Sequence, residues 1–293
     1  MTVDHDRLFK ELISTFFEEF MLLFFPDVYE EIDFRQVKFL SQEVYTDVIV
    51  GEKYKVDILV ETKLKGEDGL VNIHVEPQSY HQEEFNERMF IYFSRLFEKY
   101  RRKILPIALF SYDFIKNEPN NFSMTFSAQP ILDFNYLTIE LKKEDWRNYL
   151  RKYNPVAAAL LSKMGYNESE KVEVKKEFFR ILIRLELDQA RASLITGFFE
   201  TYLQLNDEQE EEFLQEVRKM NPKESEKIME IMTSYERKGI EKGIEKGIEK
   251  GIEKGKEAAI HEVGKRMLEK GKSIEEIMEM TGLDEEEIKK LEK

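Results

Sequence analysis

A β-hairpin is predicted by the sequence KVDILVETKLKGEDGLVNIHVE, residues 55–76. Side chains alternate in character over Lys55–Leu64, which is the period-two pattern of a strand. A turn is expected at Gly66–Gly69, and Leu70–Val75 would return as a second strand. The two strands would then be neighbours in a sheet.

Helix and strand patterns flank this hairpin. Apolar residues recur at three- and four-residue spacing from Asp6 to Phe25 and from Glu83 to Tyr100, as on core-facing helices. The almost wholly apolar run Ile104–Phe110 is typical of a strand buried on both faces, and Leu132–Leu141 is predicted as a further strand. This order of elements predicts an α/β fold with helices packed on a sheet.

The downstream half of the chain has helical patterns throughout. Four helices are predicted over Val156–Met164, Lys171–Leu187, Gln189–Leu205 and Glu208–Met220. Capping signals at Ser273 and Asp284 predict two short helices at the end of the sequence. We therefore divide the chain into an α/β domain at 1–153, a helical domain at 154–235, a repeat helix or spacer at 236–272 and a small helical hairpin at 273–293.

The motif Gly-Ile-Glu-Lys occurs in four consecutive copies, which begin at Gly239, Gly243, Gly247 and Gly251. A four-residue period exceeds one helical turn by about 40°, so the row of isoleucines winds around the axis. Each interior Gly costs about 1 kcal/mol relative to Ala. These features predict a solvated helical spacer or a loose oligomerisation arm, and self-association through this helix stays an open alternative.

The composition restricts the class of protein. The chain has no Cys, which excludes disulfides, thiolate zinc sites and cysteine nucleophiles and fits a reducing compartment. No stretch reaches the ~18 apolar residues of a membrane helix, and the N-terminus lacks a signal-peptide pattern, so we expect a cytoplasmic protein without membrane association. A formal net charge of -14 opposes DNA binding unless basic residues are segregated. Five of them crowd together after one predicted helix: Arg95, Lys99, Arg101, Arg102 and Lys103.

Two carboxylates on the hairpin predict a metal site. Asp57 interrupts a β-branched strand, where burial of a charge costs several kcal/mol unless it is paired or binds a metal. Glu76 belongs to the neighbouring strand, and a divalent cation between the two would keep both ionised. Oxygen ligands favour Mg²⁺, with Mn²⁺ as an alternative, over Zn²⁺. The competing interpretation is that Asp57 is a strand-end acid and Glu76 a surface acid.

Several sequence blocks have a spacing that resembles a known family. They read DILV at 57–60, IHVEPQS at 73–79, ERMFIY at 87–92, FKEL at 9–12, LFFP at 23–26 and NPVAAALL at 154–161. Over about residues 4–165 the chain resembles the recombination-promoting nuclease family, also described as transposase-like, within the PD-(D/E)XK superfamily. The resemblance implies a restriction-endonuclease-like mixed sheet flanked by helices, followed by an all-helical C-terminal region.

The resemblance also implies the catalytic residues. Asp57 and Glu76 would ligate the metal ion, joined by the backbone carbonyl of Pro77. Gln78 would be catalytic at the position where the superfamily usually has Lys. Its amide can hydrogen-bond the attacking water or a phosphate oxygen but brings no positive charge.

Four further residues are auxiliary candidates. Glu43 is either an additional acid or a structural residue, and His74 is either a satisfied histidine or a ligand or general base. Arg88 would contribute the positive charge that Gln78 lacks. Lys10 either orients the site or belongs to an exposed helical pair with Glu11.

The implied function is that of a Mg²⁺-dependent endonuclease. It would hydrolyse phosphodiester bonds of double-stranded DNA with little sequence preference, in connection with recombination or mobile elements. The alternative is a catalytically weak or inactive nuclease-fold adaptor that assembles through its C-terminal helices. A transposase is a third interpretation, but the downstream half lacks a clear third acid.

Overall fold

The computed structural model describes residues 4–40, 58–64, 66–76 and 85–291; for residues 72–76 and parts of the repeat it describes the backbone alone. The chain divides into two compact units, Met1–Ile228 and Met229–Lys293. The first unit contains a mixed sheet with flanking helices, and the C-terminal region is helical. The predicted α/β class is therefore confirmed at this level.

A mixed sheet organises the first unit. Among the described residues its five strands lie in the order β1 (Lys38–Phe39), β2 (Ile58–Leu64), β3 (Glu67–Glu76), β4 (Lys103–Phe110) and β7 (Leu137–Glu140). β2 is antiparallel to both of its neighbours, β1 and β3, whereas β3, β4 and β7 run parallel.

The predicted hairpin is formed by β2 and β3, with a shorter turn than expected. Gly66 has a φ of +83°, and Leu64 already pairs with Glu67. The expected turn at Gly66–Gly69 is wrong in its second half, because Gly69 pairs with Thr62 inside the ladder. A Cβ at position 69 would lie 2.7 Å from Cδ1 of Leu64, so close packing explains this glycine.

Helix α4 (Phe85–Tyr100) lies between β3 and β4 in the chain and packs on the sheet. It buries one apolar face, as its periodicity predicted, and the carboxyl half of β4 is buried from Ile107 to Phe110. The ring centroids of Phe85 and Phe110 are 4.9 Å apart. This contact fixes the start of α4 against the end of β4.

The predicted helix from Asp6 to Phe25 is divided in two. Phe16 has a non-helical conformation between α1 (His5–Thr15) and α2 (Phe17–Phe24), and α3 (Pro26–Tyr29) then begins at Pro26. Both helices keep their buried apolar faces on either side of the break. Periodicity alone does not reveal such a break, because the stripe continues through it.

Four helices follow the sheet, as predicted. They pack with the N-terminal helices inside the first unit: the rings of Phe9 and Phe198 are 5.0 Å apart, and the Asn154 side-chain amide donates to the Glu19 carbonyl. Asn154 also caps the first of these helices by accepting from the backbone N–H groups of Val156 and Ala157. The helices are α5 (Pro155–Leu160), α6 (Lys171–Arg184), α7 (Gln189–Tyr202) and α8 (Asp207–Arg218).

A separate two-stranded sheet is formed by β5 (Asn121–Phe126) and β6 (Gln129–Asn135). The predicted single strand Leu132–Leu141 is therefore wrong, because its residues are divided between β6 and β7. The division falls at Tyr136, whose N–H donates to the Asn120 carbonyl and whose hydroxyl donates to the Pro119 carbonyl. These bonds turn the chain from one sheet to the other.

The repeat belongs to one long helix, α9 (Pro222–Glu269), of 48 residues. Two short helices follow, α10 (Ile274–Thr281) and α11 (Glu285–Leu291), with the predicted capping interactions at Ser273 and Asp284. Ile277 of α10, Ile288 of α11 and Leu283 between the two helices are buried and pack with Met267 and Leu268 of α9. The second unit therefore combines the terminal helices with the end of α9.

Candidate active site

The carboxyl ends of β3 and β4 lie at one edge of the sheet. Glu76, the last residue of β3, is aligned with Phe110, the last residue of β4. Since β2 is antiparallel to β3 and begins at Ile58, opposite Ile73, it starts at the same edge. Ligands of open α/β sheets bind outside the carboxyl ends of parallel strands. We call the edge defined by Ile58, Glu76 and Phe110 the site edge.

The central predicted residues are only partly described. The backbones of His74 and Glu76 lie in β3, with His74 aligned to Ala108, and their side chains are not described. The other residues of the set lie outside the described residues: Glu43, Asp57, Pro77 and Gln78. Their roles therefore stay predictions.

Arg88 lies in the first turn of α4, close to the site edge. Its guanidinium carbon is 5.3 Å from the ring centroid of Phe85, and that ring packs on Phe110. The structure thus brings the Arg88 side chain near the end of β4. This position is consistent with the auxiliary role predicted for its charge.

Lys10 lies on α1, which packs against α7. Lys10 is half-buried and Glu11 is exposed, and both alternatives for Lys10 stay predictions. Near the start of α1, His5 Nδ1 is 2.9 Å from the Tyr202 hydroxyl oxygen. The Nζ atom of Lys163 lies 5.0 Å from the centroid of the Tyr202 ring.

An ion pair near the site edge was not predicted from the sequence. Lys163 Nζ lies 2.8 Å from Oδ1 of Asp113, which follows Phe110 by three residues. The Lys163 side chain is 2% exposed, whereas that of Asp113 is 70% exposed. Burial lowers the pKa of the Lys163 ammonium, and the Asp113 carboxylate opposes that shift. A lysine within the apolar run 156–164 was the sequence signal that could have revealed it.

The basic group includes Arg95 and Lys99 within α4 and ends at Lys103, which lies at the other end of the sheet. Lys103 is aligned with Gly69, seven residues before the alignment of Phe110 with Glu76. At roughly 3.3 Å per residue these two positions are about 23 Å apart. Acidic partners also occupy part of this group: Arg102 pairs with Glu61, and Lys103 Nζ lies 2.5 Å from Glu67.

Within residues 4–40, 58–64, 66–76 and 85–291, no group of three or more His, Asp or Glu side chains is arranged to hold a metal ion. The donors predicted from the sequence are carboxylate and carbonyl oxygens, which suit Mg²⁺ or Mn²⁺, and this cofactor stays a prediction.

Comparisons with known proteins assign no family. No family model, curated protein or solved structure matches the chain. In the part of the chain that the structure describes, no helix has the length and apolarity needed to cross a membrane. The resemblance to the recombination-promoting nucleases therefore stays a prediction.

Proposed function

We propose that this protein is a metal-dependent endonuclease that hydrolyses phosphodiester bonds in double-stranded DNA. It would act with little sequence preference, in recombination or on mobile elements. The proposal rests on the resemblance around Asp57, Glu76 and Gln78. The observation that supports it most directly is the site edge.

The strand registers give the proposal its geometric support. Ile58, which follows Asp57 in the sequence, pairs with Ile73, three residues before Glu76. Glu76 in turn ends β3 beside the end of β4. A carboxylate-bearing site at this edge would therefore draw on adjacent strands of a rigid sheet, which favours a fixed ligand geometry.

Each residue has a separate task in the proposed site. Asp57, Glu76 and the Pro77 carbonyl would hold the ion, which supplies Lewis-acid stabilisation of the phosphate charge when bound. The Gln78 amide would orient the attacking water or a phosphate oxygen. Arg88 would bring a positive charge near the phosphate, since Gln78 brings none.

The first test is a plasmid-nicking assay on the wild type, Asp57→Ala and Glu76→Ala with Mg²⁺, Mn²⁺, Ca²⁺ or EDTA. The nicking rate of both variants should fall by more than about ten-fold, because loss of a metal ligand removes several kcal/mol of transition-state stabilisation. Glu67→Ala is the matched control, since Glu67 starts β3 far from the site edge and pairs with Lys103. Full activity in both ligand variants would refute the assignment.

A nuclease-fold adaptor is the second candidate function. The isoleucines of the repeat are exposed, with Ile240 at 63% and Ile252 at 54%, which leaves an apolar row available for assembly. An adaptor would self-associate and show no metal-dependent cleavage in the wild type. The nicking assay therefore separates the two candidates.

A further inference from the structure

The hairpin of β5 and β6 is anchored on α4 at its base. Phe122 pairs with Phe134 across the two strands. The Phe122 ring stacks on Phe90 with centroids 5.5 Å apart, and the Phe134 ring lies 5.0 Å from that of Phe93. The base of the hairpin is therefore part of the core.

Beyond this base the hairpin is exposed on all sides. Every residue from Ser123 to Ile131 is exposed, including three large apolar side chains. Phe126 is 76% exposed, Ile131 63% and Met124 45%. Exposed apolar side chains grouped on one element are typical of interaction surfaces.

The same segment lacks charge. The fourteen residues from Pro119 to Leu132 include no Asp, Glu, Lys or Arg, although 35% of the whole chain is charged. About five charged residues would be expected in a segment of this length at that average. Natural edge strands usually carry charges, especially Lys, that prevent pairing with another chain.

The two strands differ in how their outer edges are protected. β6 contains Pro130, which lacks an N–H group, and the pairing shifts between Met124 and Thr125 so that Ile131 is bulged out. Both features block strand addition. β5 has neither a proline nor a charge, and within the described sheets it pairs with β6 alone.

We propose that β5 is an interface at which a second copy of this chain adds its own β5 in antiparallel orientation. A strand pairs with itself across a two-fold axis, so one uncharged strand provides both halves of the contact. Each copy carries a net charge of -14, and an uncharged surface lets two such chains approach without repulsion at the contact. Duplex DNA is the less suitable occupant, because the segment has no cation to meet a phosphate. This inference does not depend on the proposed nuclease activity.

Single-cysteine scanning of the full chain tests this interface, because the chain contains no Cys of its own. Ser123→Cys, Met124→Cys, Thr125→Cys and Phe126→Cys place one thiol at successive exposed positions of β5. Disulfide formation requires Cα atoms within about 7 Å, a separation met only at or beside the two-fold axis. One position should therefore give at least about five times more cross-linked dimer than Lys152→Cys, an exposed control site.

The position dependence separates this interface from association through α9. Lys250→Cys reports contact between repeat helices. Such contact cannot produce a maximum in the yield of cross-linked dimer at one position within β5. A second measurement is the dimer dissociation constant of Phe126→Lys, which should rise at least about ten-fold by sedimentation because the substitution replaces an apolar side chain of the contact with a charge that must be desolvated. Equal cross-linking at all four positions and at Lys152→Cys would overturn the proposal. So would protection of the thiols by duplex DNA without any dimer.

Discussion

In the Asp113–Lys163 pair, the solvent exposure of each side chain determines how much its removal should cost in stability. The ammonium of Lys163 is buried, but its carboxylate partner is largely exposed to solvent. Removal of one partner from a buried pair is costly because it leaves an uncompensated charge in the interior. In this pair only the removal of Asp113 leaves a buried charge, because the Asp113 carboxylate is itself solvated.

Asp113→Ala should therefore destabilise the protein more than Lys163→Met does. The first substitution leaves the buried ammonium without its partner and should cost about 1–3 kcal/mol. The second leaves a solvated carboxylate and replaces the lysine with an apolar side chain of similar length, so it should be close to neutral. Urea denaturation of both variants checks the order, and a larger loss for Lys163→Met would contradict it.

The same pair predicts a pH dependence. The folded-state pKa of Lys163 lies below its unfolded value of about 10.5 because of burial. Between these two values the unfolded chain binds more protons, so stability contributed at this residue rises with pH. The loss in free energy of unfolding that Asp113→Ala causes relative to the wild type should therefore become smaller as the pH rises toward 10.5. The double variant Asp113→Ala/Lys163→Met lacks the titrating ammonium, so its loss relative to the wild type should not become smaller.

Gln78 gives a second prediction at the residue scale. If its amide orients the attacking water, Gln78→Ala should lose roughly 100-fold in nicking rate, as is typical for one oriented polar group. Gln78→Lys should keep or gain activity because it restores the charge common in the superfamily. Equal rates for the wild type and both variants would show that position 78 is structural.

At the element scale, the glycines of α9 differ in what surrounds them. A Cβ at Gly264 would lie 3.1 Å from Leu291 Cδ1 and 3.2 Å from Leu283 Cδ1, whereas a Cβ at Gly247 meets nothing within 4 Å. Gly264 therefore permits the close approach of α9 to the terminal helices. Gly243 and Gly251, like Gly247, have open space where a Cβ would lie, so among the described repeat glycines none permits a close approach of this kind.

Substitution by Ala should separate these two kinds of glycine. Gly247→Ala should stabilise α9 by about 1 kcal/mol through helix propensity. Gly264→Ala gains the same propensity but overpacks the small core, which typically costs about 1–3 kcal/mol. Amide hydrogen exchange in α10 and α11 provides the readout: it should accelerate in Gly264→Ala and stay unchanged in Gly247→Ala.

The sequence predicted the presence of helices and strands better than the residues at which they break or end. Capping residues such as Ser273 and Asp284 are local, so both were predicted correctly. The break at Phe16 and the division at Tyr136 depend on tertiary packing and on bonds to distant residues, which local periodicity does not contain. The Asp113–Lys163 pair joins residues 50 positions apart, so it too required the fold.

At the scale of the whole molecule, the division of the chain predicts the effect of truncation. The residues up to Ile228 form one compact unit, and those from Met229 onward form the other. Deletion of residues 238–293 should therefore leave the first unit folded, with an unchanged thermal transition. Circular dichroism of the truncated chain checks this expectation.

Truncation also tests what the C-terminal unit contributes to assembly. If α9 self-associates, the deletion should lower the oligomeric state and with it the apparent affinity for DNA, since linked sites raise the effective concentration of the second. Light scattering decides the first point. A monomer before and after deletion would remove the assembly role, and an unfolded first unit would contradict the division of the chain.

The four identical copies in α9 allow the chain to change length in whole steps. Because the helix continues through every copy, gain or loss of one Gly-Ile-Glu-Lys changes its length by about 6 Å and turns the residues beyond it by about 40° around the axis. The core formed by Ile277, Leu283 and Ile288 lies after the repeat and keeps all its partners. Insertion or deletion of whole copies would therefore change the length of α9 in equal increments and leave the residues of this small core unchanged.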